Sequence, residues 1–325
     1  MKLQFLVPQY HETEDIIKPL LDSIALQQNV DMNEIGVVIV NDGSDVKLSD
    51  EFINSYPYKI DYILAEHKGV SSTRNRALDA ATADYVMFCD ADDMFFNMCG
   101  LYIVFREMQG DGFNAMVSIF IEETKDPRTN EKVYINHQMD VTFVHGKIYR
   151  RSYLMNNNIR WDPDLTIHED SYFNCLAQRM TSEVKYCQQP FYLWKWRDES
   201  VCRHDPKYIL KTYNNMLESN TALVKEFLKR NRKTDAQYYT TSMVYDAYFM
   251  MNKEEWLNQE NQEYRNATEK RFKQYYIMFS TLIDSIDPQV KSQIIMGMKN
   301  RFFGEGMFLE SITFADWIKH ILEEV

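Results

Sequence analysis

Tyr85-Val86-Met87-Phe88-Cys89-Asp90-Ala91-Asp92-Asp93-Met94-Phe95-Phe96 starts as an apolar run and then delivers three carboxylates within four residues. A short run of this kind reads as a buried strand. In open α/β sheets, ligands collect beyond the carboxyl ends of parallel strands, so a strand that stops at Asp-x-Asp sends oxygen ligands into such a crevice. Hard oxygen donors suit Mg²⁺ or Mn²⁺, and Mg²⁺ needs only about one or two protein carboxylates when phosphates and water complete its shell. The stretch reads as a metal and diphosphate site. The competing reading is a solvated acidic loop behind an ordinary strand, since aspartates are common in turns.

Upstream, Leu3 to Val7 is a near-continuous apolar run closed by Pro8, as expected of a central parallel strand. A helix from about Glu14 to Gln27 follows, with Thr13 as a candidate cap and Ile17, Leu20, Leu21, Ile24 and Ala25 as its apolar stripe. Ile35 to Val40 is a second buried strand, and Asn41-Asp42-Gly43-Ser44-Asp45 has the turn chemistry to hold a carboxylate beside a base or ribose. A third strand, Ile60 to Leu64, leads into His67-Lys68-Gly69-Val70-Ser71-Ser72-Thr73-Arg74-Asn75-Arg76. Ser71 or Ser72 would cap the next helix, predicted to run to Ala83. Its N-terminus, with Lys68, Arg74 and Arg76, offers a phosphate site or a plain basic surface. The order strand, helix, strand, strand, helix, strand is half of a Rossmann-like sheet.

A chain of 325 residues, 45% hydrophobic, can bury a full core and is long enough for one large domain with an appendage. No segment approaches the roughly 18 apolar residues that cross a bilayer, and the chain enters a strand pattern at once. It reads as soluble, unprocessed and cytoplasmic. Cys89, Cys99, Cys175, Cys187 and Cys202 are odd in number and form no Cys-x-x-Cys pair, which argues against a disulfide framework and a zinc knuckle. A net charge of -12 disfavours a broad nucleic-acid-binding face. No Gly-x-Gly-x-x-Gly or Walker loop appears, so dehydrogenase and ATPase readings lose support.

Val7-Pro8-Gln9-Tyr10, Asn41-Asp42-Gly43-Ser44-x-Asp, Lys68-Gly69-Val70-Ser71-Ser72-Thr73-Arg74-Asn75 and Asp90-Ala91-Asp92-Asp93 stand in the order and spacing of family 2 glycosyltransferases. Residues 1 to 203 resemble that family. The resemblance implies a GT-A fold: an α/β, Rossmann-like mixed central sheet flanked by helices. It also implies an inverting, nucleotide-sugar-dependent reaction with Mn²⁺ or Mg²⁺ as cofactor. By the same resemblance Pro8, Tyr10, Glu12 and Asp42 would hold the donor nucleoside, Arg74 would approach base or phosphate, and Lys68 would stand with it. Asp90 and Asp92 would take ribose and metal, with Asp92 the direct ligand. His11 and Asn41 depart from the family's Asn and Asp, which bears on nucleotide preference.

Further along, a helix near Leu101 to Gln109, a strand from Ala115 to Ile121 and a charged hairpin or excursion from Glu122 to His137 are expected. Val141 to Arg151 resembles the segment that lines the acceptor side, where His145 is an acceptor contact or a satisfied structural histidine. Glu169-Asp170 at a helix start carries the chemistry. An acceptor hydroxyl needs a carboxylate within hydrogen-bond reach to take its proton. The family's Glu-Asp motif makes Asp170 that base, with Glu169 orienting it or touching the acceptor; acids that merely complement the helix dipole are the competing reading. Phe191 to Val201 resembles a stretch that closes over the donor phosphates, which would set Lys195 and Arg197 facing the diphosphate and Trp194 and Trp196 walling a sugar; an aromatic core strand with exposed cations is the alternative. His204 would be a third metal ligand. From Asp205, Met and Tyr stripes at helical spacing predict an all-helical appendage, so the chain divides into a catalytic domain at 1–204 and a helical domain at 205–325.

The expected function is metal-assisted inverting transfer of one sugar, from a UDP-sugar above other nucleotide donors, to a hydroxyl of a glycan or other polymer. A non-catalytic nucleotide-sugar or glycan-binding protein and an enzyme acting on modified DNA bases are the alternatives. The helical appendage would pack on the catalytic domain, form oligomers or dock the acceptor.

Overall fold

In the computed structural model, residues 1–110, 112–126, 128–138, 140–197, 208–258, 260–304 and 312–324 are described. The chain forms two compact units, Met1–His204 and Asp205–Val325.

The first unit begins with β1 (Leu3–Gln9), α1 (Glu14–Ala25), a 3-10 turn (Met32–Glu34) and β2 (Ile35–Asp42). It continues with α2 (Asp50–Asn54), β3 (Lys59–Ala65), α3 (Val70–Ala80), β4 (Tyr85–Phe88), β5 (Met94–Phe95) and α4 (Gly100–Glu107). Then come β6 (Ala115–Lys125), β7 (Lys132–His137), β8 (Lys147–Arg150), α5 (Arg151–Asn156), α6 (Glu169–Arg179) and β9 (Val184–Trp194). One nine-stranded sheet has the order β3-β2-β1-β4-β8-β6-β9-β5, with β7 paired to β6. The first four strands are parallel; β8 joins β4 antiparallel.

The apolar runs read from sequence are the strands buried on both faces: Leu3, Phe5, Val37, Ile39, Val86 and Met87 are fully shielded. Burying each such side chain contributes about 1.5–3 kcal/mol. Register then fixes the site. Gln9 pairs with Asn41 and Asp42 with Ala65, while Phe88 pairs with Leu6. The segments that follow β1, β2, β3 and β4 therefore all leave from one edge.

Several boundaries differ from expectation. α1 stops at Ala25, and Gln27, expected to be helical, instead clamps the next layer: its amide nitrogen donates to Asn97 O and its oxygen accepts from Leu101 N–H. Thr13 occupies the cap position without a side-chain cap bond. α3 starts at Val70 after Gly69, not at a serine cap; the Ser71 hydroxyl donates to Leu165 O instead. α3 also ends at Ala80, short of Ala83, and α2 was not anticipated. β6 runs to Lys125, past the expected end at Ile121, and the charged segment is the expected hairpin, in which Phe120 pairs with His137 and Lys125 with Lys132.

The second unit consists of α7 (Tyr208–Lys229), α8 (Lys233–Met250), α9 (Glu254–Leu257), α10 (Gln262–Asp284), α11 (Pro288–Gly304) and α12 (Phe314–Glu324). α8 packs against α7, α10 and α11, and its residues are buried around most of its circumference, as for a helix at the centre of a bundle. Ile209, in the first turn of α7, is 41% exposed. Asn266-Ala267-Thr268 has the spelling of a glycosylation sequon, but it lies inside α10 with Thr268 fully buried. Asp246 accepts from the buried Tyr213 hydroxyl at 2.7 Å and from Arg301 at 2.9 Å. Asp246→Ala strands that hydroxyl, at a cost of about 1–3 kcal/mol. Thermal unfolding should show the loss, and an unchanged melting temperature would deny the network a stabilising role. No helix among the described residues is long and apolar enough to cross a membrane.

Candidate active site

Beyond β4 the chain turns tightly, Asp93 N–H donating to Asp90 O, so three neighbouring carboxylates point different ways. Asp93 goes inward and is fully buried. It accepts from the Tyr192 hydroxyl at 2.7 Å and from Lys195 N–H at 3.0 Å, with His145 Nδ1 at 3.5 Å. Burial, then the charges of Asp92 and Asp90, push its pKa well up. Asp92 is partly exposed and meets Arg197 Nη1 at 3.0 Å. Burial and the Asp90 charge raise its pKa, with Arg197 opposing. Asp90 is partly exposed and bonds to Arg74.

Arg74 is expected at base or phosphate, yet its residue is only 4% exposed. Its Nη2 lies 2.9 Å from Asp90 and its Nη1 2.9 Å from Glu169, and the guanidinium sits 4.4 Å above the Trp161 ring. Burial opposes its charge, but Asp90, Glu169 and Asp170 more than offset this. Asn75 fixes Trp161 from both sides, donating to its carbonyl and accepting from its N–H. The guanidinium is thus a strut between β4 and α6.

α6 opens on Glu169-Asp170 as anticipated. The preceding His168 is left-handed, φ 63°, a conformation that costs a non-glycine residue roughly 1 kcal/mol or more and clusters at functional sites. Asp170 accepts from Ser171 N–H at 2.8 Å. Burial and the Glu169 charge raise its pKa to about 7, while Arg74, the Ser171 N–H and Lys147 hold it down. A carboxyl group poised near neutrality is suited to proton abstraction.

At the β1–β2 side, Asp42 is almost buried and accepts from Lys68 N–H (2.8 Å) and Gly69 N–H (3.0 Å), with His67 Nδ1 3.0 Å away. Gly43 permits this closure: at φ +74°, an added Cβ would lie 2.5 Å from His67 N. Tyr10 is exposed and stacks on His67 at 4.6 Å; Pro8, on β1, is partly buried. Glu12 accepts from Tyr10 N–H and reaches Arg197 at 4.0 Å, joining this end to Asp92. Asn41 is buried, its amide bonded to Val46 O, the Tyr62 hydroxyl and Ser44 N–H, while His11 meets Ser44 Oγ at 3.2 Å. The departures at both positions therefore shape the turn. The Lys68 ammonium is exposed and pairs with Glu66.

On the other side, His145 is 3% exposed, stacked on Trp194 at 4.8 Å, so it supports the wall from within instead of facing solvent. Trp194 also packs on Phe143. Trp196 N–H donates to Glu123, and the Lys125 ammonium lies 5.2 Å over its ring. The Lys195 backbone, not its ammonium, makes the bond to Asp93. His204 lies outside the described residues.

Sequence reasoning did not single out Asp93, Tyr192, His67 or Lys147. Among the described residues Asp90, Asp93 and His145 bring potential metal ligands within 4.8 Å of one another. Asp93 already spends both oxygens on Tyr192 and Lys195, deep in the interior. The rim pair, Asp90 and Asp92, suits a cation approached by phosphates: hard oxygen donors whose mutual repulsion already raises the Asp92 pKa.

A mixed sheet of this order, with acidic side chains gathered at the edge of its parallel half, defines the GT-A class of folds. The Glycosyl transferase family 2 model matches residues 5–177, and the chain belongs to that family. The uncharacterized glycosyltransferase EpsJ of Bacillus subtilis is 26% identical over 224 residues, 61% of this chain and 62% of EpsJ. The poly(ribitol-phosphate) beta-N-acetylglucosaminyltransferase TarS of Staphylococcus aureus is 25% identical over 213 residues, 61% of this chain and 36% of TarS. The chain therefore matches less than two thirds of either relative. The crystal structure of TarS residues 1–349 with UDP-GlcNAc superposes with a TM-score of 0.66 at 16% identity, covering 95% of this chain and 93% of that one.

Proposed function

We propose that the protein is a metal-assisted inverting glycosyltransferase that moves one sugar from a UDP-sugar to a hydroxyl of a glycan or other polymer. Residues 1–204 carry the catalysis and 205–325 form an appended helical domain. The observation that carries the reading is the Arg74 strut, which ties Asp90 on the donor side to Glu169 beside Asp170. UDP as carrier is supported by the TarS complex with UDP-GlcNAc. Among the described residues, Cys89, Cys99, Cys175 and Cys187 form no disulfide, which suits a reducing cytoplasm.

In this reading Tyr10, His67, Glu12, Pro8 and Asp42 form the nucleoside end, with Asp42 acting through the loop it closes. Asp92 and Asp90 would hold Mn²⁺ or Mg²⁺, which would supply positive charge to neutralise the diphosphate. Arg197, 3.0 Å from Asp92, and Lys195 would attract the same phosphates. Lys68 adds charge at the mouth of the site. Trp194 and Trp196 flank the acceptor, and His145 backs Trp194. Asp170 takes the acceptor proton as the new C–O bond forms and the bond to UDP breaks on the opposite face of the sugar. Holding the two substrates in line removes much of the entropic barrier.

Titration calorimetry with a panel of nucleotide sugars, with and without Mn²⁺, followed by donor hydrolysis, tests this. Binding enhanced by Mn²⁺ and UDP release are expected; binding without turnover would favour a non-catalytic binding protein. Asp92→Ala should lose the Mn²⁺-dependent gain in UDP affinity, by no less than the roughly 10–100-fold that outer partners of a metal site contribute. An unchanged gain would move the cation elsewhere.

A further inference from the structure

The pairing of β9 with β6 ends where Glu122 stands opposite Trp194. Beyond that point carboxylates from other elements take the next two backbone amides. Lys195 N–H donates to Asp93 at 3.0 Å and Trp196 N–H donates to Glu123 at 3.3 Å. Both acids are buried, Asp93 fully and Glu123 with 5% of its surface exposed. Arg197 then reaches Asp92 at 3.0 Å and Glu12 at 4.0 Å. Segment 195–197 is thus pinned at two consecutive amides before it presents its guanidinium to the rim of the site.

Glu123 is itself built into the β6–β7 hairpin. Alternate residues of a strand share a face, and the register sets Tyr134 opposite Glu123 and Lys132 opposite Lys125. These four side chains therefore lie on one face. Lys132 Nζ donates to Glu123 Oε1 at 2.8 Å and the Tyr134 hydroxyl to Oε2 at 3.2 Å, while the Lys125 ammonium lies 5.2 Å over the Trp196 ring. The hairpin grips Trp196 by its backbone and by its ring. A glutamate is almost never buried unless paired. Burial alone would raise the pKa of Glu123, but Lys132, Tyr134 and the Trp196 N–H more than offset this, and a bond to an ionised acceptor is the stronger kind.

We propose that Glu123 is a positioning residue for the donor diphosphate: it holds Trp196 N–H and so fixes the place from which Arg197 meets phosphate. The proposal rests on the reading of Arg197 as a phosphate contact. The charged hairpin then serves as the brace of segment 195–197, and Lys132 and Tyr134, exposed on β7, act on the donor through the carboxylate they hold.

The test separates the two ends of the donor. Affinities for UDP and for uridine are measured by titration calorimetry at fixed Mn²⁺, and their ratio reports the diphosphate end. Arg197→Met should lower the ratio about tenfold, as for a lost bond between charged groups. Glu123→Ala should lower it by a comparable factor and leave uridine affinity unchanged. The double variant should fall no further than Arg197→Met, because both changes remove one interaction. Glu123→Gln keeps an oxygen for Trp196 N–H and should restore most of the ratio. A general loosening of the hairpin would instead weaken both ligands and add to Arg197→Met. Should Glu123→Ala not fold, the double variant Lys132→Met/Tyr134→Phe removes the two side chains that hold the carboxylate and should lower the ratio in the same direction. A ratio unchanged in the folded variants, or full additivity with Arg197→Met, overturns the proposal while the donor reading stands. A parent that binds UDP no better than uridine overturns the reading of Arg197 itself, and the role of Glu123 with it.

Discussion

Asp170→Asn should slow sugar transfer by about a thousandfold, within the 10²–10⁴ that a positioned general base contributes, and leave UDP affinity unchanged. The amide keeps the shape of the carboxylate and removes its ability to accept a proton. In the parent, kcat/KM should climb with pH and level off above an apparent pKa of about 7, because below it the base is protonated; the residual activity of the variant should lack this limb. Transfer by Asp170→Asn at the parent rate would remove the base from this position.

The same substitution should act oppositely on stability. A carboxyl whose pKa rises from about 3.9 unfolded to about 7 folded favours folding in its protonated form. That contribution is complete below the unfolded value and is lost as pH rises through 7. Relative to the parent, Asp170→Asn should therefore gain stability as pH goes from 5 to 8 in urea titrations. The working state of the base is the one the fold tolerates less well.

Arg74→Met is the second large effect. It leaves Asp90 and Glu169 facing one another without their shared cation and strips the guanidinium from Trp161. Removing one partner of a buried ion pair costs about 3–5 kcal/mol, and the partial exposure of Asp90 places this case toward the lower end. Arg74→Lys should fall between parent and Met, since an ammonium cannot fork to two carboxylates in the same way. Urea denaturation midpoints measure the difference. A Met variant as stable as the parent would mean the strut contributes nothing to folding.

The parallel half of the sheet was legible in the sequence because β1, β2 and β4 are buried on both faces and read as unbroken apolar runs. That Glu169-Asp170 opens a helix was legible because helix N-termini collect acids. The burial of Arg74 was not. Its partners lie 16 and 95 residues away, and nothing local distinguishes a buried arginine from a solvated one. The Asp93 network was hidden for a related reason: only the tight turn after β4 and the β5–β9 pairing decide which of three adjacent carboxylates goes inward. The helix-start serines misled because Gly69, with φ +84°, lets the chain enter α3 without a hydroxyl cap.

One guanidinium touching acids on both flanks has a consequence for engineering. Donor choice and acceptor choice cannot be retuned as independent modules, because a change at Asp90 alters the tension on Glu169 through a side chain that neither substrate has to meet. Libraries that randomise one flank at a time will miss combinations that work only when both are varied together.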